Sequence, residues 1–125
     1  MEIFGIGIDI IEVARIKSAI ERHKKFIDKI FSPEEIKYSD RGSFRYEELA
    51  GRFASKEAIL KAIKTGWRRG ISYRDIAILN EKSGAPYVVL SGRAKEICEE
   101  INIKKIFISI SHTKELAIGL AIATI

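Results

Sequence analysis

At 125 residues the chain suits one compact domain, 1–125, and leaves little room for a second. A composition of 46% hydrophobic and 31% charged residues excludes a disordered chain. The formal net charge of +5 points to an acidic counterpart (nucleic acid, a phosphorylated small molecule, an anionic membrane or an acidic protein) without choosing among them. The single cysteine, Cys98, rules out an intramolecular disulfide, and no Cys/His cluster suggests zinc. Such a chain fits a reducing compartment. The N-terminus lacks the basic and apolar regions of a signal peptide, and "FGIGIDII" is too short to span a bilayer, so the expected address is the cytoplasm.

In chain order, Ile3 to about Ile10 alternate as a strand. Phe4, Ile6, Ile8 and Ile10 share one face, and Ile3, Gly5, Gly7 and Asp9 share the other. A helix is predicted next, capped by Asp9 or a neighbour, with Val13, Ile16 and Ile20 at helical spacing up to about Lys25. "FSPEEIKY" starts a helix, with Ser32 as N-cap, Pro33 at the first helical position and Glu35 closing a capping box. "DRGSFR" reads as a loop. The longest helical pattern runs from about Tyr46 to Lys64, with Leu49, Phe53, Leu60 and Ile63 on one stripe and a stop near Gly66.

"TGWRRGISY" is an irregular basic loop, and "DIAILNEKSGAPYVVLS" is a hairpin around Ser83 and Gly84. "GRAKEICEEI" is a short helix. Two strands, "KKIFISIS" and "ELAIGLAIATI", close the chain around a tight turn near "HTKE". In the last one Leu116, Ile118, Leu120 and Ile122 face one way, with Ala117, Gly119, Ala121 and Ala123 opposite. Both faces are apolar, so one is expected under helices and the other under a subunit neighbour. The expected fold class is α+β, a mostly antiparallel sheet with packed helices.

Four constellations carry candidate chemistry. Asp9 has two compatible readings: with Glu12 it forms a capping box over the first helix, or it offers a carboxylate to Mg²⁺ beside a gap left by Gly5 and Gly7. In "GRFASKEAILKAI", Glu57 falls at the edge of the apolar stripe, where it pairs with Lys61 or joins Asp9 around a metal-bound pyrophosphate. Lys56 beside it would be half-buried and in need of a partner. In "SISHTKE", His112 enters a turn with Thr113 and Lys114, as a structural residue or an anion contact. On the first helix Arg15, Arg22 and Lys25 cluster opposite the apolar positions, forming either a solvated face or a docking strip for an acidic partner.

Taken together, "GIGIDIIEVARI", "GRFASKEAILKA" and "SISHTKELA" resemble the holo-[acyl-carrier-protein] synthase family, the small class of 4′-phosphopantetheinyl transferases, in order and over nearly the whole chain. The resemblance implies transfer of phosphopantetheine from coenzyme A to a serine of an apo acyl carrier protein, with 3′,5′-ADP leaving. It implies Asp9 and Glu57 as Mg²⁺ ligands, and Glu57, Lys61 and His112 as catalytic residues; the serine proton needs a base, for which Glu57, or a metal-bound water it orients, is the candidate. Arg52, Lys61, His112 and Thr113 would contact coenzyme A, and Arg15, Arg22 and Lys25 would meet the carrier protein. It also implies a homotrimer with active sites between subunits. One departure is plain: the family often has Gly-Lys-Pro in the hairpin, where this chain has "SGAP". Ala85 offers no charge there, leaving Arg45, Arg68 or Arg69 to compensate. Lys25 stands for a more usual arginine and lacks its bidentate fork.

A nucleic-acid module needs basic residues interleaved with aromatics on a sheet face, and "KIFISIS" and "LAIGLAIATI" offer almost none. A trimeric scaffold without catalysis has no need for Asp9, Glu57 and His112 together.

Overall fold

A computed structural model describes residues 1–40, 44–66 and 70–125. The alternating N-terminal segment forms β1 (Ile3–Glu12), followed by three helices: α1 (Val13–Arg22), α2 (Phe26–Ile30) and α3 (Pro33–Ser39). The long α4 (Tyr46–Ala62) comes next, then a 3-10 turn (Tyr73–Asp75) and the hairpin of β2 (Ile76–Asn80) and β3 (Pro86–Leu90). Helix α5 (Gly92–Glu100) and strands β4 (Lys105–His112) and β5 (Leu116–Thr124) complete the order. The strands make two sheets rather than one, β1-β5-β4 and β2-β3, and every pairing is antiparallel. Arg68 and Arg69 lie outside the described residues, as do parts of both predicted loops.

Alternation sorts each strand of the larger sheet into a helix side and an outer side. On the helix side Ala117, Ala121 and Ala123 are fully buried. A Cβ on Gly7 would stand 1.9 Å from the Ala58 carbonyl oxygen, on Gly5 2.0 Å from that of Ala62, and on Gly119 2.5 Å from the Ser55 amide nitrogen. The gap that the glycines clear is therefore filled by the backbone of α4 and not by a ligand. Helix α4 answers with its own small residues, Ala50, Ala54, Ala58 and Ala62, spaced four apart and all fully buried. This ridge explains why α4 is buried nearly all round, where one apolar stripe was expected. On the outer side Ile6, Ile8 and Ile10 are each more than half exposed, and they continue across Leu116, Ile118, Leu120 and Ile122 to Phe107.

Element ends depart from expectation for identifiable reasons. Strand β1 runs on to Glu12, so Asp9 lies within a strand opposite Gly119 and caps nothing. Glu12 is the N-cap residue of α1 and makes no side-chain cap, while the Val13 amide donates to the Glu115 carbonyl at 2.8 Å. Helix α1 stops at Arg22, and Lys25 belongs to the turn before α2. Helix α4 ends at Ala62, four residues before Gly66: Lys64 takes φ 64°, and the Thr65 amide reaches back to the Leu60 carbonyl at 3.3 Å. The Ser32–Glu35 capping box forms as expected.

Glu35 does more than cap. Its Oε1 also accepts from Lys56 Nζ at 2.9 Å, and its Oε2 accepts from the Ile78 amide at 3.0 Å. Lys56 Nζ further donates to the carbonyls of Tyr73 (2.9 Å) and Ile76 (2.7 Å). Both side chains are fully buried, so this ion pair ties α3, α4, the 3-10 turn and β2 together.

Candidate active site

Two side chains reach toward each other from β1 and α4. Asp9 is on the helix side of β1, and Lys61, in the last turn of α4, places Nζ 3.1 Å from Asp9 Oδ1 and 2.8 Å from the Ile8 carbonyl oxygen. Glu57 sits one turn earlier on α4, half-buried, and its Oε1 accepts from the Tyr73 hydroxyl at 2.9 Å. Burial first, and then the Glu57 and Asp9 carboxylates, push the Tyr73 phenol above its ordinary range. It therefore keeps its proton at neutral pH and acts as a donor to Glu57. Asp9 and Glu57 thus share one electrostatic neighbourhood, with Lys61 and Tyr73 around them. Among the described residues no group of three or more His, Cys, Asp or Glu gathers as a metal site. Two carboxylates are the set that Mg²⁺ takes when phosphate oxygens and water complete its shell, so Asp9 and Glu57 fit that ion with a phosphate ligand.

Arg52 and His112 stand elsewhere. With Tyr38, Asn80 and Pro86 they line a cleft of about 220 Å³ between α4, the hairpin and β4. Asp9 and Lys61 line a different cleft with Ile8, Ile10 and Ile118. Arg52 is buried beneath the hairpin: its guanidinium donates to the Ile78 carbonyl and to Asn80 Oδ1 (2.7 Å), and lies 5.0 Å from the Tyr38 ring centroid. A planar fork fixed in this way holds positive charge at the cleft with little loss of freedom on binding. Asn80 in turn donates from Nδ2 to the Gly84 carbonyl at 2.9 Å, so the hairpin tip and Arg52 are set together. His112 is exposed at the end of β4, on the side that faces α4. The Thr113 hydroxyl oxygen accepts from the amides of Glu115 (3.2 Å) and Leu116 (3.1 Å), which closes the β4–β5 turn.

Arg15, Arg22 and Lys25 are exposed, on α1 and in the turn after it, and Arg45 and Ala85 are exposed as well. Sequence reasoning missed Tyr73, Asn80 and the Lys56–Glu35 pair. No local signal marks Tyr73, which meets Glu57 only because the chain folds back after α4. The alanine ridge at Ala50, Ala54, Ala58 and Ala62 was available in the sequence, and it pairs naturally with the glycines of β1.

An α+β chain whose long helix joins an acidic strand to a basic hairpin cleft suits phosphoryl transfer, and comparison with known proteins supplies the class. The profile of the 4′-phosphopantetheinyl transferase superfamily matches residues 5–121, and the chain belongs to that superfamily. It is 50% identical over 120 residues to the holo-[acyl-carrier-protein] synthase of Clostridium tetani, covering 96% of this chain and 94% of that one. The protein of the same name from Clostridium kluyveri is 49% identical over 96% of this chain and 89% of its own. Among solved structures, the Helicobacter pylori holo-[acyl-carrier-protein] synthase in complex with coenzyme A matches with a TM-score of 0.84 at 36% identity, over 95% of this chain and 99% of that one. A holo-(acyl-carrier-protein) synthase from Bacillus anthracis in complex with CoA (3′,5′-ADP) matches with a TM-score of 0.80 at 34% identity, over 98% and 97%.

Proposed function

We infer that this chain is a holo-[acyl-carrier-protein] synthase, transferring 4′-phosphopantetheine from coenzyme A to a serine of an apo acyl carrier protein. The observation that carries this reading is that Asp9 of β1, bonded to Lys61, and Glu57 of α4, bonded to Tyr73, both act on the Tyr73 phenol. In the reaction the serine oxygen bonds to the β-phosphorus of the pyrophosphate. The bond from that phosphorus to the bridging oxygen breaks, and adenosine 3′,5′-bisphosphate leaves with the electron pair. Glu57 is assigned to take the serine proton, and Asp9 with Glu57 to hold Mg²⁺. When bound, the cation supplies neutralisation of charge on the pyrophosphate oxygens. Lys61, freed from Asp9 as phosphate oxygens enter, offers them an ammonium. Arg52, His112 and Thr113 are assigned to the nucleotide half of coenzyme A, and Arg15, Arg22 and Lys25 to the acidic face of the carrier.

In one chain Arg52 and His112 line a different cleft from Asp9 and Lys61. Completing one site from two chains supports a homotrimer with active sites between subunits, and the exposed isoleucine face of β1 supplies an apolar surface for that contact. The reading carries with it a role in fatty acid biosynthesis and a cytoplasmic address. Among the described residues no helix is long and apolar enough to cross a membrane.

The test is to incubate the protein with coenzyme A, Mg²⁺ and an apo carrier protein and to weigh the carrier. A gain equal to one phosphopantetheine is expected, and Glu57→Gln should abolish it without altering thermal unfolding. No gain with any apo carrier, where an authentic transferase gives one, overturns the reading.

A further inference from the structure

Tyr73 belongs to none of the three motifs, yet it is held from three directions. Its ring stacks on Phe53 with centroids 5.5 Å apart and planes 18° apart. Its carbonyl accepts from the buried Lys56 ammonium at 2.9 Å, and that ammonium is anchored by Glu35 and the Ile76 carbonyl. Its hydroxyl donates to Glu57 Oε1 at 2.9 Å. The stack and the Lys56 bond use the ring and the backbone, so both survive replacement by phenylalanine. The bond to Glu57 does not.

We propose that Tyr73 is a positioning residue for Glu57: its hydroxyl holds one carboxylate oxygen and thereby sets the direction in which the other is offered to the divalent cation. The buried Lys56–Glu35 pair is the footing that keeps Tyr73 in place. This rests on the assignment of Glu57 as a metal ligand made above. Two features favour positioning over simple core filling. Glu57 is only half-buried on a helix whose neighbouring residues are almost all buried, so its carboxylate faces an open side and needs a fixed orientation there. The donor comes from a residue fastened by the Phe53 stack and the Lys56 bond rather than from a mobile surface side chain. Partners of metal ligands of this kind are worth about 10–100-fold in metal affinity or activity when removed.

Mn²⁺ binding to the full-length chain with coenzyme A present and carrier absent, followed by the electron paramagnetic resonance of free Mn²⁺, reads this without turnover. Four proteins are compared: wild type, Tyr73→Phe, Glu57→Ala and the double variant. Tyr73→Phe is expected to weaken binding about 10-fold or more, while its thermal midpoint falls by no more than about 5 °C. In the Glu57→Ala background the same change should have no further effect. Tyr73→Phe binding within twofold of wild type, where Glu57→Ala binds weakly, overturns the positioning role and leaves the ligand assignment standing. Additive losses in the double variant overturn it too, as does a Tyr73→Phe chain that fails to fold, because the hydroxyl would then serve the fold. Glu57→Ala binding as tightly as wild type removes the ligand assignment and this inference with it.

Discussion

At the residue scale the most consequential group outside the candidate site is Lys56. Burial pulls its ammonium below the ordinary lysine value, and the Glu35 carboxylate pulls it back up. Four acceptors or faces surround the charge: Glu35, two backbone carbonyls, and the Phe31 ring centroid at 5.5 Å. Replacing Lys56 by Met leaves the Glu35 carboxylate buried without its cation, which should cost about 3–5 kcal/mol in urea unfolding. A loss below about 1 kcal/mol would show that the pair is dispensable. Cys98 gives a pH signature. Burial raises its thiol above the ordinary value of 9.0, so the unfolded chain releases that proton first. The contribution is complete below pH 9.0 and is lost as pH rises further, because the unfolded state then binds fewer protons. Measured against Cys98→Ala, wild type should lose stability as pH rises above 9.0 and show a constant difference below it.

At the element scale the packing of α4 on the sheet governs everything downstream. Glycines in β1 and β5 face an alanine ridge, and their contacts are backbone to backbone. Gly7→Ala drives a methyl group to 1.9 Å from the Ala58 oxygen, which no rotamer relieves. The helix must lift or the strand must shift, at a cost of about 3 kcal/mol or more. The same displacement separates Lys61 from Asp9, so carrier modification should fall even where the variant remains folded. Chemical denaturation and the carrier mass assay on one preparation check both halves. An alanine variant with wild-type stability contradicts the close approach.

At the scale of the whole molecule the outer face of β1 is the feature one chain leaves unexplained. The trimer reading expects about 42 kDa by light scattering, three chains of 14.1 kDa. Ile6 is 61% exposed, so lysine there is tolerated by the single chain and not by an apolar interface. Ile6→Lys should reduce the mass to that of one chain with circular dichroism unchanged, and transfer should disappear with it. Full transfer by a protein of monomer mass would sink the shared-site arrangement.

The sequence by itself determined most of the elements, because they are written in local chemistry; α2 (Phe26–Ile30) and the 3-10 turn (Tyr73–Asp75) were not legible in it. Alternation marked β1 and β5, the Ser32–Glu35 box opened α3, and the run from about Tyr46 to Lys64 was legible as the long helix that ends at Ala62. Residue types also drew attention to Asp9, Glu57, Lys61 and His112. Only the tertiary structure decided what those residues meet. Asp9 turned from possible cap to strand residue because the β1–β5 ladder continues to Glu12, an outcome of pairing with a segment more than a hundred positions away. Lys61 bonds Asp9 across 52 positions rather than Glu57 across four, and Glu57 meets Tyr73 instead. Lys56 and Glu35 find each other because α3 docks on α4 beside β2. Such contacts depend on which faces pack together, and a local pattern carries the faces without naming their partners.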